Sequence, residues 1–401
     1  MRTVSKTVIG VDFGTQSARA VLVNAENGEI IYSCRKEYPY NSTPVPAIDC
    51  AENLPCATDY EMTLYELLRN VIPEEYRKTV AGICIDATSL TMVLLAEDGR
   101  ALSELDGWSE AAHARVKLWK YHRAQEKADE ALNLARNLQE PFLGRTGGSI
   151  SCEWMLPKLL EVRDEAPEIY SKIDLAMDLC EFLTFRLTGQ LVRSIGSLSY
   201  KCLWAEDLSF PERTFLNGLR AGFYEEYCHF LRGDVRKPGE FAGMLRSELT
   251  KRWGLPEQIP VATGMLDGHT SLATMGAFEP GDAALIVGTS NVCTVQDRKL
   301  QELKDVCGVA QDGMVTGSCG IDTGQSSTGN MLGWFVEHMA GWQIHREAEE
   351  RKISPHQVLA ERIQKPWENK VIAVDWWSGS RNAPCDLTLR GSMSGLEMDT
   401  K

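Results

Sequence analysis

The stretch Thr7-Val8-Ile9-Gly10-Val11-Asp12-Phe13-Gly14-Thr15-Gln16-Ser17-Ala18-Arg19-Ala20 decides how this chain is read. Thr7 to Phe13 is apolar and β-branched, as strands are. Gly14 to Ser17 is a turn, and Ala18 to Val23 is a second strand. A tight glycine turn between two strands lets backbone N–H groups approach phosphate oxygens closely. Thr15, Gln16 and Ser17 add side-chain hydrogen bonds. Asp12, at the strand's end, suits Mg²⁺ held through water, because that ion keeps part of its hydration shell. The stretch is neither a Walker A loop nor a G-x-G-x-x-G fingerprint. On its own it fits an ordinary hairpin turn equally well.

The surroundings extend the pattern. Asn27-Gly28 marks a hairpin turn before a third strand, Glu29 to Cys34. A helix is expected over about Glu61 to Val71, then a buried strand from Val80 to Asp86, followed by Thr88-Ser89. Strands and helices in this order mean an α/β fold. Ala111 to Leu138 reads as helix, with Val116, Trp119, Ala124, Ala128 and Leu132 at roughly helical spacing. Glu153 to Val162 and Ile173 to Thr188 continue it, with Gly189 as a C-cap. Pro256 and Pro260 mark a boundary near residue 257.

Beyond that boundary the opening arrangement recurs. Ala283 to Val287 is a strand, Gly288-Thr289-Ser290-Asn291 a turn, and Val292 to Gln296 a strand. No tandem repeat of constant period is present. Two such hairpins suggest two domains of similar ancestry facing each other across a cleft. Ser354-Pro355 opens a helix to about Gln364, Ser as N-cap and Pro at the first position. Val371 to Val374 is a further strand, and the remainder reads as loop.

Composition removes other classes of function. With 401 residues the chain has length for two or three domains. It has no apolar run of the roughly 20 residues that a spanning helix needs. Its start has no long apolar stretch, so no signal peptide is expected. A net charge of −14 argues against sequence-blind nucleic-acid binding, which needs a cationic surface. The 12 cysteines are scattered without a C-x-x-C pair, which points to free thiols in a reducing compartment.

Gly10 to Ala20 resembles the first phosphate motif of the FGGY carbohydrate kinases, and Gly288-Thr289-Ser290 resembles their second. Gly264-Met265-Leu266-Asp267-Gly268-His269 is similar to the segment that carries their catalytic aspartate. Within that family the L-ribulokinases match further segments. These are Leu118-Trp119-Lys120-Tyr121-His122, Gly147-Gly148-Ser149 with Glu153-Trp154 and Lys158, Gly324-Gln325-Ser326, and Asp375 to Arg381. The matches run in the family's order from residue 8 to 396.

The resemblance implies two actin-like (ribonuclease H-like) ATPase domains flanking a cleft. The first would span residues 1–256. The second, 257–401, would be incomplete, because the match ends near Leu396 where the family continues into an adenosine-binding part. Such a domain would leave apolar strand faces uncovered.

It also implies ATP and Mg²⁺ as cofactors and a small sugar as substrate, with no nucleic acid and no membrane. The setting would be cytoplasmic, in pentose and especially arabinose breakdown, and a homodimer stays open. Asp267 would be the general base toward a ketopentose hydroxyl. Gly14, Thr15, Gln16 and Ser17 would bind nucleotide phosphate with Gly288, Thr289 and Ser290, and Asp12 would bind the metal.

Lys201, Asp322, Gln325 and Trp119 would bind the sugar. Taken singly, Asp267 also fits a helix cap, Lys201 a surface lysine and Trp119 helix packing. Asp322 stands where the family commonly has a glutamate. Tyr121 stands where an aspartate is usual, which would remove a carboxylate from the cleft. Three activities stay open: L-ribulose kinase, kinase of another ketose or polyol such as xylulose, and non-catalytic sugar-binding or interaction protein. Substrate would draw the two domains together and exclude water.

Overall fold

The computed structural model describes residues 5–38, 54–288, 290–363, 371–382, 386 and 388–398. The opening hairpin forms as the alternation dictates. In β1 (Thr7–Phe13), Thr7, Ile9, Val11 and Phe13 are buried, every second residue. It pairs antiparallel with β2 (Ser17–Asn24), which pairs with β3 (Ile30–Glu37). Its other edge pairs in parallel with β4 (Val80–Ala87). Helix α1 (Ala57–Asn70) sets Tyr60, Leu64, Leu67 and Leu68 into the core beneath these strands.

Pro256 does not end this sheet. Strand Pro260–Ala262 pairs with β4 and with Phe241–Met244, and Met265–Leu266 adds to the end of β4. The division expected near residue 257 therefore falls later. The chain leaves the first sheet only at helix Asp267–Met275.

A second sheet follows, in the order Ala283–Val287, Asn291–Asp297, Cys319–Gln325, Gly308–Gln311, all neighbours antiparallel. Its joint with the first part is helix Ile195–Lys201. There the Tyr200 hydroxyl donates to the Gly320 carbonyl at 2.7 Å. A Cβ on Gly308, Gly313 or Gly320 would come within 2.7 Å of the Tyr200 ring or hydroxyl, so glycine lets the sheet close on that ring. Leu285 and Val287 stand exposed on the sheet's edge strand.

Two expected helices are corrected. Only Gln125–Leu138 of the 111–138 stretch is helical. Before it, Lys117 exchanges backbone hydrogen bonds with Met92, which holds the chain extended. Likewise Leu175–Asp178 is a strand paired with Met92–Leu95, and helix starts at Leu179. Buried apolar runs look alike in either state, and pairing decides. Gly189 does cap that helix, at φ 73°, and Ser354 accepts from the Gln357 N–H. Ser392–Ser394, expected as loop, pairs with Ile372–Val374. The expected helix end at Gln364 lies outside the described residues.

Gly264 sets the approach to Asp267. A Cβ there would lie 2.5 Å from the Ile85 carbonyl oxygen and 3.2 Å from Cys180. Gly333, inside helix Gly329–His338, has open space instead. We expect Gly264→Ala to lower unfolding free energy by about 1–3 kcal/mol in urea titrations. Gly333→Ala should raise it by about 0.5–1 kcal/mol. Equal effects of the two would contradict this account.

Candidate active site

Parallel pairing places Asp12 of β1 opposite Asp86 of β4, and Asp86 opposite Met265. One residue beyond Leu266, Asp267 opens helix Asp267–Met275. Three carboxyl groups thus gather at the carboxyl ends of adjacent strands, where α/β sheets bind ligands. Burial, then the adjacent Asp12 carboxylate, pushes Asp86 up to about 9, and Asp267 adds to the rise. Burial also raises Asp267, with Asp12 contributing. The backbone N–H groups of Gly268 and Ser89, and His269, pull it partly back. The Gly268 N–H donates to Asp267 Oδ1 at 2.7 Å.

The first turn lies beside this cluster. The Gly14 N–H donates to the Ser17 carbonyl at 3.2 Å, and the Tyr38 hydroxyl to the Gly14 carbonyl at 2.9 Å. Arg35 donates to the Ser17 hydroxyl, and Trp119 Nε1 to the Thr15 hydroxyl, each at 3.0 Å. Gln16 accepts from the Tyr38 N–H. In the second turn the Gly288 N–H donates to the Ser290 carbonyl at 3.1 Å. Thr289 lies outside the described residues. The helix that starts at Asp267 reaches this hairpin: a Cβ on Gly268 would touch Val292 at 3.4 Å.

A second group of charges joins the two sheets. Lys201 Nζ donates to Asp322 Oδ2 at 3.3 Å, and His269 Nε2 lies 3.7 Å from the same oxygen. Burial alone would raise Asp322, but Lys201 and His269 hold it well below the carboxylate range. Nearby, Arg381 donates to Glu153 at 3.1 Å, and its guanidinium covers the Trp119 ring 4.9 Å from the centroid. Burial opposes ionisation of Glu153, yet Arg381, with His122 and Lys201, brings it down to about 2. Asp322 and Glu153 are therefore fixed anions, acceptors for hydroxyl donors.

Comparison with known proteins places the chain in a family. The N-terminal domain of the FGGY family of carbohydrate kinases matches residues 7–275, and the C-terminal domain matches 283–401. The chain belongs to the FGGY family of carbohydrate kinases. A ribulokinase of Halalkalibacterium halodurans is 32% identical over 99% of this chain and 72% of its own length. One of Mycolicibacterium smegmatis is 35% identical over 98% of this chain and 72% of its own. A ligand-bound xylulose kinase from Lactobacillus acidophilus shares the fold at a TM-score of 0.75 and 18% identity. That match covers 99% of this chain and 74% of the other. The fold is the two-domain, actin-like ATPase type.

Most expected site residues of this FGGY kinase fall into two groups: Asp12 and Asp267 in one, Lys201 and Asp322 in the other, with Trp119 tied to the first turn. Gln325 stands apart, donating to Asp375 and accepting from the Thr328 hydroxyl. Tyr121 leaves no gap in the cleft. It is 2% exposed, donates to Glu161 at 2.9 Å and accepts from Lys117 at 3.2 Å. The side chain at 121 thus serves the interior. Of the 12 cysteines, ten are described and all ten are free thiols; Cys50 and Cys385 lie outside the described residues.

Asp86 was not anticipated from the sequence. Its signal was present: Ile83-Cys84-Ile85-Asp86 repeats the apolar run ending in aspartate of β1, and Thr88-Ser89 follows as Thr15 to Ser17 do.

The raised Asp86 has a stability consequence. The folded chain binds its proton up to about pH 9, the unfolded chain only to about pH 4. Folding is therefore favoured at low pH, and the contribution is lost as pH rises from about 4 through 9. We expect Asp86→Asn to gain stability over the unaltered chain as pH goes from 5 to 8, at up to about 1.4 kcal/mol per pH unit. Urea unfolding at both values checks this; a pH-independent difference would contradict it.

Proposed function

We propose that this chain transfers the γ-phosphoryl group of ATP to the terminal hydroxyl of a ketopentose, converting L-ribulose to L-ribulose 5-phosphate. The observation that carries the reaction class is Asp267. It stands at a helix N-terminus between the two Gly-Thr hairpins, one residue past a strand that pairs with β4. A sugar hydroxyl is a weak nucleophile, and transfer needs positioning, a proton acceptor and charge neutralisation. Asp267 takes the hydroxyl proton, and its burial makes it a stronger base than a solvated aspartate. Lys201 donates to sugar hydroxyls, Asp322 accepts from them, and Trp119 borders them with its ring under Arg381. Gly14 to Ser17 and Gly288 to Ser290 hold the triphosphate, one turn from each domain.

The donor set fits Mg²⁺. No group of three His, Cys, Asp or Glu side chains among the described residues forms a ready-made metal centre. Asp12 and Asp86 are hard oxygen ligands; burial first and then repulsion from Asp12 raise Asp86, and a divalent cation relieves that repulsion. Those two would hold the ion, which when bound neutralises charge on the phosphates. The choice of L-ribulose rests on the ribulokinase relatives at 32–35% identity. A cytoplasmic role in pentose breakdown goes with that choice.

ADP release with a ketopentose panel tests the proposal. L-Ribulose should give the highest kcat/KM, and Asp267→Asn should lower kcat by about 10²–10⁴-fold. Turnover of xylulose but not ribulose would overturn the sugar. No sugar-dependent turnover would overturn the activity, and full turnover by Asp267→Asn would overturn the base.

A further inference from the structure

A cavity of about 420 Å³ lies at the joint between the two domains, and none of the site residues described above lines it. That volume is within the roughly 300–1,000 Å³ of small-molecule pockets. Helix Ile195–Lys201 gives it Ile195 and Ser199, and strand Gly308–Gln311 of the second sheet gives it Val309 and Ala310. Most of the remaining wall comes from the short helical turn Pro141–Arg145 with its neighbours and from residues 203–212.

The charge of this lining is one-sided. Glu140, Glu206, Asp207 and Glu212 take part in it, and among the lining residues Arg145 alone is basic. Arg145 is already engaged, since its two terminal nitrogens donate to the two Asp207 carboxylate oxygens, each at 2.7 Å. The other three carboxyl groups have no basic partner in the lining. Glu140 is the interior one. It is 5% exposed, and its Oε2 is buried with no hydrogen-bond partner among the described residues. Thr146 Oγ1, in the same lining, is also buried without one. Buried polar atoms are normally paired, and both of these atoms can accept. Burial and then the Glu212 carboxylate raise Glu140 from its usual value, while the Glu212 N–H pulls it partly back. A cation beside it would reverse that rise.

The apolar part of the wall suits the same charge. Phe142, Trp204 and Phe210 line the cavity, and aromatic faces attract organic cations. Leu203 and Ser209, on either side of Trp204, both hold a φ of 57°. Non-glycine residues keep such a conformation where the surroundings impose it, and they cluster at functional sites.

We propose that this cavity binds a small organic ammonium ion with an aromatic or apolar body. Its N–H groups donate to Glu140 and Thr146, and its body lies against Phe142, Trp204 and Phe210. Anions of the kind the kinase cleft takes would meet three carboxyl groups without a counter-charge. The walls come from both domains. Strand Gly308–Gln311 pairs with the strand that carries Asp322, and helix Ile195–Lys201 ends in Lys201. An occupant therefore touches the two elements that the Lys201–Asp322 contact joins.

Titration of the full chain with phenethylammonium chloride tests the site. The indole N–H resonance of Trp204, assigned by its loss in Trp204→Phe, reports occupancy. It should shift saturably with a Kd of about 0.1–1 mM. Phenethyl alcohol, of the same shape without the charge, should bind about tenfold more weakly, and hydrocinnamate, of opposite charge, should give no saturable shift. Glu140→Gln should weaken the ammonium ion by about tenfold or more. The three ligands need no variant and decide the matter alone if Glu140→Gln does not fold. No saturation below about 10 mM, equal binding of hydrocinnamate, or unchanged affinity in folded Glu140→Gln would overturn the site.

Discussion

Everything in this cleft depends on one register. With β1 and β4 parallel and Asp12 opposite Asp86, two carboxyl groups are forced together at the ends of adjacent strands. The pairing of Met265–Leu266 with β4 then brings a third, Asp267, to the same edge. Buried and set beside like charges, these groups cannot all ionise freely, and Asp86 is the one held toward its protonated form. In the proposed function this arrangement prepares the site for a cation and for proton transfer before any ligand arrives. Gly264 permits the approach, because a side chain there would meet the Ile85 carbonyl.

The same cleft holds carboxylates of opposite habit. Asp86 and Asp267 are raised, chiefly by burial, whereas Asp322 and Glu153 are held low by Lys201, His269 and Arg381. Environments that push titratable groups apart mark out their separate roles. In the proposed reaction the raised pair faces the chemistry, and the lowered pair offers fixed acceptors. The Lys201–Asp322 contact also crosses from the helix of the first domain to the sheet of the second. In the proposed function, substrate recognition and domain contact share these side chains.

Much of this was legible in the residues. The alternation of Thr7 to Phe13 and the glycine turn after it specify the hairpin, and its echo at Ala283 to Gln296 specifies the second. What failed was legible only through pairing. Residues 111–124 have helix-like composition, yet the Lys117 backbone bonds to Met92. Leu175–Asp178 reads as buried helix until Met92–Leu95 is found beside it. Asp86 carries no motif of its own, and its meaning comes from the partner across the ladder. Tyr121 looked like a lost cleft carboxylate because sequence order cannot say which way a side chain faces.

The most direct measurement is a crystal structure of the chain with L-ribulose bound. The account predicts the terminal hydroxyl oxygen within about 2.6–3.2 Å of an Asp267 carboxylate oxygen, as proton transfer requires. It also predicts the remaining hydroxyls on Lys201 and Asp322. A bound sugar whose terminal hydroxyl points away from Asp267, with another group in reach of it, would contradict the central claim.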